Sequence, residues 1–281
     1  MVNQDDTIRI RKNTGELVPF DVEKLKNALR RSGARDKEIE KVTEEVRDSL
    51  YEGITTKKIY QIAYRTLRKT SKRTAGRYRL KKAIFQFGPS GYPFEFFVAK
   101  LLEFEGYMTE TGQIVQGRCV QHEVDVVARK NSKLLMCECK FHQTDSVKSD
   151  VKIPLYVHSR FNDIKEKWLT EGENKDSDFE PLLITNTRFT EDAMQFGRCA
   201  GMRLISWDYP ENDSLKDWID RSGFHPITSL KSLTKKEKQG LLDKGTVLCR
   251  EIVEKPGLLD VLPITQRRAR NIMKEAKALA E

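Results

Sequence analysis

Two β-rich runs, CVQHEVDVVAR from Cys119 and KLLMCECKF from Lys133, stand on either side of the polar tripeptide KNS. That arrangement predicts a hairpin. It constrains the chain strongly, because period-two alternation assigns every side chain to one face of a sheet. On the second run, Glu138 and Lys140 share a face with Met136, while Cys137 and Cys139 share the other with Leu135 and Phe141. On the first run, Asp125 shares a face with Glu123 and Val127.

Two kinds of chemistry compete for this hairpin. Cys119, His122, Cys137, Cys139 and His142 have a spacing that a zinc site could use. Strand geometry argues against it. Residues two apart on a strand are separated by about 6.6 Å, whereas sulfurs on one tetrahedral zinc lie under about 4 Å apart. Cysteines packed beneath a helix are the expected alternative. The other face suits a hard divalent cation, Mg²⁺ or Mn²⁺, held by Asp125 and Glu138 with waters completing its shell. Lys140 lies beside the same cavity, where it can orient an attacking water or offset phosphate charge.

Turn residues in FGPSGYP, Phe87 to Pro93, predict a domain boundary. The helix that follows, FEFFVAKLLEFEG, has a wide apolar face with Glu95 at its border, where a carboxylate needs a partner or a metal. A second boundary is expected at SGFHPIT. Charge divides along these lines: residues 1–88 carry a net +10, residues 89–228 a net −6 and residues 229–281 a net +5. From Gly53 to Phe94 there is no Asp or Glu, and Arg65, Arg68, Lys69, Lys72, Arg73, Arg77, Arg79, Lys81 and Lys82 fall inside that stretch. A basic protein of this kind suits a polyanionic partner such as DNA or a nucleotide. No apolar run approaches a membrane span, the first residues lack the core of a signal peptide, and the five cysteines form no disulfide framework. A cytoplasmic protein is expected.

The N-terminal segment reads as a hairpin over TIRIRKNTGELVPF, a helix capped by Asp21 and ending at Gly33, a second from about Asp36 to Tyr51, and a third from about Lys57. Its pattern is Ile10-x-Lys12, Gly15, Phe20-Asp21, Lys24-Leu25, then TTKKIYQIAYRTL and RYRLKK. This resembles the ATP-cone, a small regulatory nucleotide-binding domain of ribonucleotide reductases and their transcriptional repressor. The resemblance implies that Lys12 and Lys24 help hold the phosphates of ATP or dATP, and that the chain forms a nucleotide-dependent homo-oligomer. KNTG stands where that family favours Lys-Arg-Asp-Gly.

The middle segment, with GYPFEFFVAKLLEFEGY, HEVDVVA, CECK and PLLITNTRFTEDAMQFGRCAGMRLISWD, resembles the PD-(D/E)XK nucleases, most closely the Mrr-type restriction endonuclease branch. The resemblance implies catalytic roles for Glu95, Asp125, Glu138 and Lys140, with Asp125 and Glu138 as metal ligands. The C-terminal LLDVL, the turn PIT and RRARNIMKEAKAL resemble a helix-hairpin-helix module, with Arg267, Arg268 and Arg270 as its charges. Lys148, Arg160 and Arg188 are further candidates for DNA phosphates.

The expected fold is multidomain, α+β or α/β. Residues 1–88 form a mostly helical cone with an N-terminal β-hairpin, residues 89–226 a restriction-endonuclease-like mixed α/β core, and residues 227–281 a small all-α unit. The expected activity is metal-dependent DNA hydrolysis regulated by nucleotide. The rival expectation is a non-catalytic, nucleotide-sensing DNA-binding regulator on a nuclease-like scaffold, and a third is a zinc-stabilised nucleic-acid adaptor.

Overall fold

The computed structural model describes residues 8–12, 14–170 and 177–280. Asn13 of the KNTG turn, and the side chains of Lys72, Arg73 and Arg77 from the acid-free run, lie outside that description. The architecture is multidomain α+β. It begins with an antiparallel hairpin, β1 (Arg9–Arg11) and β2 (Leu17–Pro19), with Ile10 opposite Val18. Helix α1 (Val22–Arg31) follows, its first turn capped by the Asp21 carboxylate accepting from the Lys24 N–H at 3.1 Å. Next come α2 (Asp36–Arg47), α3 (Thr56–Thr70), α4 (Lys72–Tyr78) and α5 (Leu80–Ile84). The second helix stops at Arg47 rather than Tyr51. Beyond it, Gly53 takes up a φ of +80° and sends its N–H to the Arg9 carbonyl at 2.8 Å, tying the turn to the hairpin. Apolar residues at helical spacing, among them Leu29, Val42, Val46, Ile62 and Leu67, close a core that belongs to this unit alone.

The middle of the chain is a five-stranded sheet between two helical layers. Helix α6 (Tyr92–Phe104) leads into β3 (Met108–Gln116), β4 (Gln121–Lys130) and β5 (Lys133–Lys140). The two-residue strand β6 (Lys148–Ser149), α7 (Lys152–Trp168), β7 (Asp178–Thr185), the short β8 (Arg188–Phe189), α8 (Glu191–Cys199), β9 (Arg203–Ile205) and α9 (Leu215–Ser222) follow. Strand order is β3-β4-β5-β7-β9, antiparallel from β3 to β5 and parallel from β5 to β9. The expected hairpin is β4–β5, turning at Asn131 with a φ of 52°. Strand β3 was not anticipated. Its sequence, MTETGQIVQ, is mostly polar and so carries little apolar alternation, since it lies at the sheet edge.

Alternation sorts β5, β7 and β9 cleanly. Leu135, Cys137, Cys139, Leu182, Ile184 and Ile205 face α6 and α9, whereas Leu134, Met136, Leu183 and Leu204 face α7 and α8. Helix α6 is fixed by Phe94, Phe97, Val98, Leu101 and Leu102, each at most 1% exposed. Burying side chains of this size stabilises by about 1.5–3 kcal/mol apiece, so any residue on α6 is held firmly in place.

The remaining helices are α10 (Lys235–Leu242), α11 (Cys249–Glu254) and α12 (Gln266–Ala280). The larger core runs from Leu80 and Ile84, through α6 and the sheet, to Ile272 and Leu279 on α12. The Thr228 hydroxyl donates to the Ala83 carbonyl at 2.7 Å within it. A Cβ at Gly76 would collide with Leu279, so α12 lies directly on α4.

Candidate functional site

The carboxylates gather where β4 and β5 part. Their ladder ends at Val126 opposite Cys137, one residue before Asp125 would face Glu138. On the other side of β4, pairing with β3 skips Asp125 and Gly112, and Gly112 has a φ of +60°. Val126 packs on the α6 side, yet Val124 packs on the α7 side, where strict alternation would put the two together. The pleat therefore breaks at Asp125. Such breaks re-aim a side chain. Here the Asp125 Oδ2 turns to accept the Cys139 N–H at 2.6 Å, an acceptor directed across to β5 rather than along its own strand. The face shared by Asp125, Glu123 and Val127, expected from simple alternation, is interrupted for this reason.

Glu138 keeps its place on β5, and its Oε2 accepts from Arg160 Nη1 at 2.8 Å. Arg160 projects from α7, is 13% exposed, donates its other amine to the Glu123 carbonyl and lies over the Tyr156 ring. Arg160 is thus part of the carboxylate cluster and not a free surface charge. The sequence held a signal: Arg160 falls on the same helical face as Val157 and Ile164, where a charge needs a buried partner. Lys140 is exposed at the end of β5, and among the described residues its amine has no hydrogen bond or ion pair. Arg188 pairs with Asp208 at 2.9 Å, while Lys148 is exposed on β6.

Glu95, half-buried in the first turn of α6, joins the cluster through space. Burial raises its carboxyl to about 7, helped by the charges of Asp125, Glu123 and Glu138. Burial, then Glu138, raises Asp125 to about 6, against the opposing pull of the Cys139 N–H and Arg160. The sequence-derived residues Glu95, Asp125 and Glu138 are therefore brought together, with Lys140 one pleat repeat from Glu138. Negative charge here exceeds what Arg160 offsets. Hard oxygen donors pressed together in this way fit a divalent cation bound by two carboxylates and several waters. Among the described residues no group of three or more His, Cys, Asp or Glu side chains is arranged as a metal cage. Asp125 and Glu138 are the pair that fits the smaller set.

The zinc alternative does not assemble. Cys137 and Cys139 are buried against α6, and burial raises both thiols. His122 is bound to Asp163 at 2.7 Å, and the exposed Cys119 lies beside that aspartate, which raises its thiol. His142 instead contacts the Ser149 hydroxyl at 2.9 Å.

A second candidate site lies in the N-terminal unit, in a cavity of about 270 Å³. Its floor is Ile10, Val18, Leu25 and Ile59, and Lys12 and Lys24 stand on its rim. Lys12 Nζ is 2.9 Å from Glu16, and Lys24 Nζ is 3.3 Å from Asp21. Tyr60 and Tyr78 line the wall, their rings stacked 5.0 Å apart. An apolar floor, stacking rings and two rim cations suit a purine nucleotide. In the C-terminal unit, Arg268 is committed to Glu237 at 2.6 and 2.9 Å and to the Ser232 carbonyl at 2.9 Å. It therefore staples α12 to α10 and is not available to DNA.

Two family models match parts of the chain. The family model of the ATP cone domain matches residues 8–83, and that described as AF1548-like, C-terminal, matches residues 225–280. An uncharacterized protein of Archaeoglobus fulgidus is 35% identical over 181 residues, 64% of this chain and 98% of the relative. The crystal structure of a protein of unknown function, AF1548, aligns with 34% identity and a TM-score of 0.57 over 68% of this chain and 98% of that one.

Proposed function

The chain belongs to the AF1548-like family and carries an ATP cone, and we propose that it is a Mg²⁺- or Mn²⁺-dependent deoxyribonuclease regulated by nucleotide. One observation carries this reading: the broken pleat at Asp125, which collects Asp125, Glu138 and Glu95 in a site whose negative charge Arg160 offsets only in part, beside Lys140, which has no ion pair among the described residues. Asp125 and Glu138 are the residues that would hold the cation. When bound, it would polarise a phosphate oxygen and acidify a water. Glu95, with a carboxyl near 7, is suited to take a proton from the attacking water at neutral pH. Lys140 supplies an ammonium to orient that water or to meet charge developing on the phosphate. Arg160 holds Glu138 in place and limits repulsion within the cluster. ATP or dATP in the cone, with Lys12 and Lys24 on its phosphates, sets activity, and a nucleotide-dependent homo-oligomer is the expected vehicle.

The test is cleavage of supercoiled plasmid with Mg²⁺ or Mn²⁺, with and without ATP, beside Asp125→Ala, Glu138→Ala and Lys140→Ala. Cutting by the native protein and not by the variants supports the reading. Cutting that persists in all three variants sinks it. The Arg160–Glu138 ion pair favours a second reading, a nucleotide-sensing DNA-binding regulator in which the cluster is only structural. That reading expects DNA binding without cutting, and no Mn²⁺ binding that depends on Glu138.

A further inference from the structure

On α3, Arg65, Arg68 and Lys69 are exposed on one face, and with Tyr64 and Lys231 they line an open cleft of about 460 Å³. Lys231 comes from the C-terminal unit, so the cleft exists only because the two ends of the chain meet. Its Nζ lies 3.9 Å from the centre of the Tyr64 ring, and the Arg79 guanidinium lies 5.3 Å from the same ring. Among the described residues no ion pair joins Arg65, Arg68, Lys69 or Lys231 to a carboxylate. The nearby carboxylate, Glu275, accepts from the backbone N–H of Lys231 and Ser232 and from the Ser232 hydroxyl. The crowding is felt by the lysines: burial and the charges of Arg79 and Arg68 bring Lys231 down to about 8, and burial and Arg79 bring the buried Lys238 down to about 8. Glu275 offsets only part of this charge, and cations held together in excess of their counter-charge are stabilised by an anion.

We propose that this cleft binds the phosphodiester backbone of a nucleic acid, separately from both the nucleotide cavity and the carboxylate cluster. Its form favours a backbone over a free nucleotide. The cations follow one another along a helix at positions i, i+3 and i+4 and do not converge on a single point. The aromatic ring is taken up by Lys231 and Arg79, so it offers no platform for a base. The surface is also open, as tracking a strand of phosphates requires. Neutralising each phosphate releases counterions, which makes the affinity steeply salt-dependent.

The experiment is fluorescence anisotropy of the full chain in EDTA, with a DNA duplex, an RNA duplex and, as competitor, inorganic tripolyphosphate, over a series of salt concentrations. The variants are Arg65→Ala with Arg68→Ala, Lys231→Ala and the conservative Lys231→Arg. We expect the double variant to lose about tenfold or more in duplex affinity, with a salt slope shallower by roughly 2, near 0.9 for each phosphate contact removed. Lys231→Ala weakens duplex binding and Lys231→Arg restores it. ATP binding to the same variants stays at the native level, which reports an intact cone. Comparing DNA with RNA shows which backbone is preferred. Native-like affinity and slope in the variants, no duplex binding by the native protein, or a change confined to tripolyphosphate each overturns the proposal. Because metal is absent, the outcome does not depend on whether the protein cuts DNA.

Discussion

Glu95→Gln offers a direct test of the electrostatics inferred for the cluster. Glu95 titrates near 7 in the folded protein against an ordinary 4.5, because burial and then the charges of Asp125, Glu123 and Glu138 oppose its ionisation. At about 1.36 kcal/mol for each tenfold change in proton affinity, ionising it in place costs about 3 kcal/mol. Partial solvent access reduces this to about 2–3 kcal/mol. A carboxyl raised on folding binds more protons native than unfolded between its two pKa values. The associated stability is present in full below 4.5 and is lost as pH rises through about 7. Glutamine has the same shape and no charge. The variant should therefore match the native protein at pH 4 and exceed it by about 2–3 kcal/mol at pH 8, with the gap opening between those limits. Denaturant unfolding in EDTA at several pH values measures this. Added Mg²⁺ at pH 8 should narrow the gap, because a cation on Asp125 and Glu138 relieves Glu95. A stability difference independent of pH, or a less stable variant at pH 8, would refute the argument.

Lys12→Ala and Lys24→Ala should each weaken ATP binding by about tenfold in calorimetry, since a single charge-assisted phosphate contact contributes on the order of 1.5 kcal/mol; native affinity in both would place the phosphates elsewhere. Arg268→Ala should lower the stability of the packing of α12 on α10 at pH 7, seen as a lower urea midpoint. Arg268 and then the Thr234 groups hold Glu237 at about 2, so the pair's contribution is present above 4.5 and lost as pH falls toward 2; urea unfolding at pH 7 and pH 3 should show the deficit shrinking in acid. Gly112→Val has open space around its new side chain but must adopt a φ of +60°, and should cost about 1–2 kcal/mol, seen as a lower melting temperature with weaker Mn²⁺ binding at the cluster.

The elements with strong periodicity were legible in the sequence. Helix α6, the β4–β5 hairpin and the N-terminal helices have apolar spacing that only one geometry satisfies. Asp125 and Glu138 could be paired from strand alternation on neighbouring strands, whereas Glu95 was joined to them only through the resemblance to the PD-(D/E)XK nucleases. Most of what escaped had no local signal. Strand β3 is polar and held by its neighbour's ladder, so its partner determines it. The broken pleat at Asp125 depends on Gly112 across the ladder, in a different strand. Arg160 had a local signal, its place on the apolar face of α7, but its partner Glu138 is set by how α7 lies on the sheet. The joining of Lys231 to α3 requires residues far apart in the chain, a contact no window of sequence contains.

The packing of Leu279 on Gly76 has a consequence for the order in which the protein takes shape. The core of the cone, from Ile10 to Ala75, is complete early in synthesis and can close while the rest is still being made. The larger core holds both Leu80 and Leu279, so its closing at α12 draws on residues about 200 positions apart. Until then the apolar faces of α5, α6 and the sheet await their cover. The docking of α12 on α4 therefore ties the closing of the second core to a surface that the cone itself presents.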